Sequence, residues 1–127
     1  MDVPAPATAS RSILVVEDEA IIAMMLEEYL QALGHSLCGV ATSLDEANAL
    51  IGEKGGAIDL AILDCHLGEE EVWPVADRLA EMGVPIILSS GGSISSLPPR
   101  YARCAMLHKP YTISALTDLL AGFFDPA

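Results

Sequence analysis

Basic residues are scarce in this sequence, and the shortage limits the partners that the chain can bind. The 127 residues include 6 lysines and arginines against 18 aspartates and glutamates, and the formal net charge is −12 at pH 7. Nucleic-acid binding depends on a Lys/Arg surface that neutralises phosphates, so we expect no nucleic-acid partner. The acidic balance favours a cation or a basic protein surface, although a soluble acidic surface would give the same total.

Several patterns typical of membrane proteins and nucleotide-binding enzymes are also missing. No apolar run reaches the length of about 18 residues that suggests a membrane-spanning helix, and the Pro/Ala-rich start lacks the basic-then-apolar pattern of a signal peptide. Neither a Gly-x-Gly-x-x-Gly turn nor a Gly-x-x-x-x-Gly-Lys-Ser/Thr loop occurs, which disfavours dinucleotide and P-loop sites. The three cysteines form no Cys-x-x-Cys pair, so we expect reduced thiols. Together these absences predict a cytoplasmic protein without membrane association.

What the sequence does contain is an alternation of short apolar runs with segments of helical period. The hydrophobic content of 52% is enough for the core of one domain. Short continuous apolar runs indicate strands buried on both faces. The predicted strands are residues 12–16, 36–41, 59–63, 85–89 and 104–108. The predicted helices are residues 20–33, 44 to about 51 after a cap at Ser43, 72–82, and a last helix after a cap at Thr112, with Ile113, Leu116, Leu119, Leu120 and Phe123 on its apolar side.

This alternation predicts an α/β domain with three layers. The strands form a five-stranded parallel sheet that is covered by helices on both faces, in the doubly wound, flavodoxin-like order 2-1-3-4-5. We expect residues 52–56 to form a turn, and Pro98-Pro99 to leave the helix before the fifth strand short or distorted. Residues 1–11 are predicted to be a disordered tail, and residues 12–125 the folded domain.

Polar residues stand at the carboxyl ends of four predicted strands. Glu17 and Asp18 follow the first strand, Asp64 the third, Ser90 the fourth and Lys109 the fifth. In a parallel sheet these ends share one edge. Three carboxylates repel each other unless a cation lies among them, and Mg²⁺ is the natural ion for oxygen ligands. Asp64 could then attack a phosphoryl group and form an acyl phosphate, with Ser90 and Lys109 holding the other oxygens.

Four fragments, ILVVEDE, LAILDCHLG, VPIILSSG and LHKPY, occur in this order. Together they resemble the receiver domain of two-component response regulators over about residues 12–124. The resemblance implies that Asp64 is the phosphoacceptor and that Ser90 and Lys109 assist it. It also implies a cis Lys109-Pro110 bond. The implied Mg²⁺ ligands are Glu17, Asp18, Asp64 and the backbone carbonyl of His66.

The sequence departs from the family pattern at three places. Met106 stands where the family usually has a switch aromatic, and Ser90 occupies the other switch position in place of the commoner Thr. Because Met is flexible, Met106 could repack where a ring would rotate. The loop after Asp64 carries three consecutive glutamates and lacks the frequent Pro-Asp-x-x-Gly form. We expect no output domain beyond the receiver domain.

The resemblance implies a phosphoacceptor in a two-component phosphorelay, which is not an enzyme beyond its own phosphorylation and dephosphorylation. The implied partners are a histidine kinase or histidine phosphotransfer protein and a downstream protein, with the chain itself a monomer or weak dimer. Two alternatives stay open. A small Mg²⁺-dependent aspartyl-phosphate phosphatase is disfavoured because His66 replaces the second Asp of Asp-x-Asp. A pseudo-receiver that binds partners without phosphorylation stays open because of Met106.

Overall fold

The computed structural model describes residues 11–91, 97–109 and 112–124. The helices and strands are, in order, β1 (Ser12–Val16), α1 (Ala20–Ala32), β2 (Ser36–Ala41), α2 (Leu44–Lys54), β3 (Leu60–Asp64), β4 (His66–Leu67), β5 (Glu70–Glu71), α3 (Trp73–Glu81), β6 (Ile86–Ser90), β7 (Ala105–His108) and α4 (Ile113–Phe124). Five of the strands form a parallel sheet in the order β2-β1-β3-β6-β7. Since β4 and β5 form a separate hairpin, this confirms the predicted order 2-1-3-4-5.

The sheet divides the core into two layers because successive strand residues point to opposite faces. One layer packs the even-numbered residues of β1 and the odd-numbered residues of β3 against α2 and α3. The other packs the odd-numbered residues of β1 and the even-numbered residues of β3 against α1 and α4. Both faces are therefore apolar, which explains why the strands read as continuous hydrophobic runs.

Two helices begin at the capping residues that the sequence predicted. Ser43 Oγ accepts the N–H of Glu46 at 3.2 Å at the start of α2. The Glu46 carboxylate then accepts the backbone N–H of Thr42 at 2.7 Å. At the start of α4, Thr112 Oγ1 accepts the N–H of Ala115 at 3.1 Å. The bonds from the Glu46 and Ala115 N–H groups satisfy backbone donors that the first helical turn would otherwise leave unpaired.

Several boundaries differ from the sequence prediction. The turn predicted at 52–56 was wrong, because α2 continues to Lys54 and a 3₁₀ turn follows at Gly55–Ala57. Strands β3 and β6 each end one residue later than predicted, at Asp64 and Ser90. On the apolar side predicted for α4, Leu116 and Leu120 are buried, whereas Ile113 and Phe123 at its two ends are 39% and 38% exposed.

The region between β6 and β7 is attached to helix α3. Arg100 donates from Nε and Nη2 to the two carboxylate oxygens of Asp77, both at 2.8 Å, and Tyr101 O–H also donates to Asp77. The Tyr101 ring stacks on Trp73 with a centroid distance of 5.5 Å. The described part of this region contains a 3₁₀ turn at Pro99–Tyr101. The rest of the predicted short helix, residues 1–10 of the predicted tail at 1–11, and Pro110 lie outside the described residues.

No helix in the described part of the chain is both long and apolar enough to cross a membrane.

Candidate functional site

A cleft of about 320 Å³ lies at the carboxyl edge of the sheet. Residues from the ends of β1, β3, β6 and β7 meet there, and the sheet order reverses between β1 and β3 at the same edge. The residues that line the cleft are Asp18, Glu19, Asp64, His66, Gly68, Ser90, Gly91 and Lys109. The fold therefore brings together the strand-end residues that the sequence singled out.

Lys109 is the cation at the centre of this cleft. Its Nζ lies 2.9 Å from Asp64 Oδ2, 2.9 Å from Glu17 Oε1 and 3.6 Å from Glu19 Oε1. The Lys109 N–H donates to the Ser90 carbonyl at 2.8 Å, which continues the β6–β7 ladder and fixes the lysine backbone. Burial lowers the pKa of the ammonium, but its contacts with Glu17 and Asp64 outweigh burial and raise the pKa above its ordinary value. Lys109 is thus held in its charged form.

Asp64 is positioned as a carboxylate with two donors and little contact with solvent. Only 6% of the residue is exposed, since β3 runs between β1 and β6 in the middle of the sheet. Its Oδ2 accepts a hydrogen bond from Lys109 Nζ at 2.9 Å, and its Oδ1 accepts the backbone N–H of His66 at 3.2 Å. These two hydrogen bonds fix the orientation of the carboxylate, whose oxygens are the candidate nucleophile of the site.

Glu17 is the most buried acid of the site, with 1% of the residue exposed. Its N–H donates to the Ala41 carbonyl at 2.9 Å, and its Oε2 accepts the Glu19 N–H at 3.1 Å. Burial raises the pKa of the Glu17 carboxyl to about 7, an effect that the neighbouring Lys109 ammonium opposes and Asp64 reinforces. Glu17 therefore has little access to solvent and lies beneath the residues that line the cleft.

Glu17 also belongs to a group of three consecutive carboxylates that extends to the cleft opening. Glu17, Asp18 and Glu19 each offer a carboxylate oxygen, and these oxygens lie within 4.8 Å of one another. Asp18 and Glu19 are exposed, and Asp18 Oδ2 accepts the N–H of Gly68 at 2.9 Å. This bond ties the end of β1 to the β4–β5 hairpin. The donor set, all carboxylate oxygens, fits a hard divalent cation.

The remaining predicted site residues lie at different depths. Ser90 lines the cleft and is 6% exposed, whereas the His66 side chain is exposed and its backbone lies in the hairpin. Met106 is half-buried and packs against the core layer between the sheet and helices α2 and α3. The sequence reasoning gave no role to Glu19, although it contacts Lys109. The sequence did point to Glu19, because this residue continues the acidic run that follows β1.

Comparisons with known proteins place the chain among relatives of similar architecture. No family model matches the chain. It is similar to the solution structure of SdrG from Sphingomonas melonis Fr1, with 40% identity and a TM-score of 0.76 over 90% of this chain and 96% of that one. A BeF3-activated conformation of SdrG has a TM-score of 0.74.

Two further relatives extend the comparison. A response regulator receiver protein from Sinorhizobium medicae WSM419 is 25% identical, with a TM-score of 0.73 over 89% of this chain and 93% of that one. The transcriptional regulatory protein DcuR from Shigella flexneri is 26% identical over 118 residues, which are 88% of this chain and 49% of DcuR. The chain thus spans about half the length of this curated relative.

Proposed function

The chain belongs to the receiver-domain family of response regulators, and on this premise we propose that Asp64 accepts a phosphoryl group from a phosphohistidine of a partner protein. The partner is a histidine kinase or a histidine phosphotransfer protein. The observation that carries the proposal is the position of Asp64 in the cleft, with one oxygen 2.9 Å from Lys109 Nζ and the other bonded to a backbone N–H. The modified chain then signals through contacts with a downstream protein.

The proposed transfer forms one bond and breaks one. A carboxylate oxygen of Asp64 attacks phosphorus, the P–N bond to the donor imidazole breaks, and its electron pair stays on the imidazole nitrogen. The product is an acyl phosphate on Asp64. Lys109 is already beside the attacking carboxylate, so its ammonium can move towards the phosphoryl oxygens as negative charge arrives there. Ser90, which also lines the cleft, donates its hydroxyl to another phosphoryl oxygen.

Mg²⁺ is the proposed cofactor of this step. Asp18, Glu17, Asp64 and the His66 carbonyl would hold it, and Glu19 joins this set because its carboxylate lies beside the first two. When bound, Mg²⁺ offsets the charge shared by the carboxylate and the phosphoryl group. The carboxylates contribute the negative potential that attracts the ion, and Lys109 Nζ, 2.9 Å from Asp64 Oδ2, holds the Asp64 side chain in place.

The relatives support this proposal. SdrG has a BeF3-activated conformation, and BeF3⁻ is a chemical analogue of a phosphoryl group on a carboxylate. A bound BeF3⁻ therefore supports a phosphoacceptor role in that relative. The acidic cleft of this chain has the groups that would bind the same analogue.

Labelling with a small phosphodonor tests the proposal. Acetyl phosphate with Mg²⁺ should add one phosphoryl group per chain, measured by intact mass, and Asp64→Asn should abolish the addition. Asp118→Asn, on the exposed face of α4, is the matched control and should label like the parent. Equal labelling of Asp64→Asn and the parent would refute the assignment. Sustained release of phosphate from phosphomonoesters would instead identify a phosphatase, and no labelling by any donor would identify a binding-only module.

A further inference from the structure

Ser89 is a buried polar residue that the proposed chemistry has not yet used. It lies in the middle of the sheet, in strand β6, and is 1% exposed. Its Oγ has no hydrogen-bond partner within the described part of the chain. Most buried hydroxyls in folded proteins are paired, because an unpaired one loses its bonds to water without replacement. Ser89 therefore requires an explanation.

The strand register places Ser89 beside the phosphoacceptor. Asp64 on β3 and Ser89 on β6 are direct partners in the parallel ladder. Ile62 and Ile87, two residues earlier on each strand, belong to the same core layer. Because side chains alternate between faces, Asp64 and Ser89 also share a face, and neighbouring strands lie about 5 Å apart.

The other charged groups of the site continue the same face. Val15 and Leu107 belong to the core layer of Ile62, and Glu17 and Lys109 come two residues after them. The contacts of Lys109 with both Glu17 and Asp64 agree with this placement. Ser89 is thus a neutral hydroxyl donor next to a group of two carboxylates and one ammonium.

The unmodified site does not use this donor. Both oxygens of Asp64 already accept a hydrogen bond, one from Lys109 and one from the His66 N–H. Phosphorylation of Asp64 changes which of its oxygens has a hydrogen-bond donor. One Asp64 oxygen becomes the bridge to phosphorus, and the dianionic phosphoryl group attracts the Lys109 ammonium away from the other.

We propose that the Ser89 hydroxyl donates to the carbonyl oxygen of the modified Asp64 once Lys109 has turned to the phosphoryl group. Ser89 is then a positioning residue that is unpaired at rest and paired in the modified state. The inference rests on the proposed function of Asp64. It predicts that Ser89 favours the modified state over the unmodified one, since only the former satisfies its hydroxyl.

Binding of BeF3⁻ in the presence of Mg²⁺ provides the test, with Ser89→Ala as the variant. The loss of one neutral hydrogen bond should weaken BeF3⁻ binding about three- to tenfold. The midpoint of thermal unfolding without BeF3⁻ should stay equal to that of the parent or rise, because no bond is lost at rest. Ser114→Ala, on an exposed position of α4, is the matched control and should change neither quantity.

The outcomes separate this inference from the proposed function. If the parent binds BeF3⁻ and Ser89→Ala binds it equally well, the positioning role is refuted and the role of Asp64 stands. A lower unfolding midpoint without BeF3⁻, with unchanged BeF3⁻ affinity, would show that Ser89 is structural and would also refute it. If the parent does not bind BeF3⁻, the proposed function fails and the inference with it. A slowly exchanging hydroxyl proton in the NMR spectrum, seen only with BeF3⁻ and lost in Ser89→Ala, would confirm the bond directly.

Discussion

Replacing Lys109 with Met should destabilise the fold strongly, because it removes the cation shared by two buried acids. The Lys109 side chain is 11% exposed, and the side chains of Glu17 and Asp64 are 1% and 8% exposed. At 2.9 Å and an effective dielectric constant of about 20, each attraction amounts to about 6 kcal/mol before desolvation is subtracted. Removing one partner of such a buried pair costs about 3–5 kcal/mol in practice. Since the cleft is open to water, we expect the lower end, about 3 kcal/mol.

Urea unfolding followed by circular dichroism at pH 7 without Mg²⁺ measures this loss. Lys54→Met is the matched control, since Lys54 is the other lysine of the chain, and should cost about 0.5 kcal/mol or less. The double variant Lys109→Met/Asp64→Asn should recover more than half of the loss, because Asp64 is then the main uncompensated charge: burial raises the pKa of Glu17 to about 7, and without the ammonium that opposes this rise Glu17 takes up a proton at pH 7. If Lys109→Met unfolds at the same urea concentration as Lys54→Met, or if adding Asp64→Asn recovers no stability, Lys109 does not stabilise the fold through these two acids.

Three further predictions follow from other groups. Mg²⁺ at about 100 times its dissociation constant should stabilise the parent by about 2.7 kcal/mol in thermal unfolding, and an equal effect in Asp18→Asn would contradict the metal set. Burial and the charge of Arg11 lower the pKa of His35, whose Nδ1 accepts the Arg11 N–H. At acidic pH the unfolded chain therefore binds more protons at this histidine than the folded chain does. The free energy of unfolding should thus fall as pH drops below the ordinary histidine pKa of about 6.5. His35→Gln should flatten that slope in urea titrations, and an unchanged slope would exclude His35 as its source. Burial and the Asp77 carboxylate raise the pKa of Tyr101 to about 12. Asp77→Asn should therefore lower the pH at which Tyr101 ionises in an ultraviolet titration. An unchanged ionisation pH would contradict the role of Asp77.

The sheet and its order could be predicted from the sequence because each strand is buried on both faces. Such strands leave continuous apolar runs, and the alternation with helices permits few arrangements. The β4–β5 hairpin could not be predicted in this way. Its strands have two residues each, and its glutamates are exposed. The turn between them, where Gly68 has a positive φ of +62°, leaves no periodic pattern in the sequence. The extension of α2 past Gly52 was missed because glycine is a poor helix former, and packing of the neighbouring Ile51 outweighs that preference.

The sequence could predict those residues of the candidate site that stand at the end of an apolar strand. Asp64, Glu17 and Lys109 stand out because each is a charge next to an apolar run, and the structure brings them within contact distance. Their roles in phosphoryl transfer stay predictions. Ser89 gave no such signal, since a serine at the end of an apolar run resembles any other strand residue. Only the register, which depends on how two distant segments pair, places it opposite Asp64.

The pairing of Lys109 with two carboxylates also protects the proposed intermediate from its own neighbour. An acyl phosphate is an activated carbonyl, and a free amine beside it would attack the carbon, expel phosphate and leave a permanent amide between Lys109 and Asp64. Only an unprotonated amine has the electron pair for this attack. In the modified state Asp64 no longer carries a carboxylate, but Glu17, which raises the pKa of Lys109, and the phosphoryl oxygens would keep the nitrogen protonated, so it would not be a nucleophile. The contact between Lys109 and Glu17 would thus keep the proposed modification reversible, because it would prevent a permanent crosslink between Lys109 and Asp64.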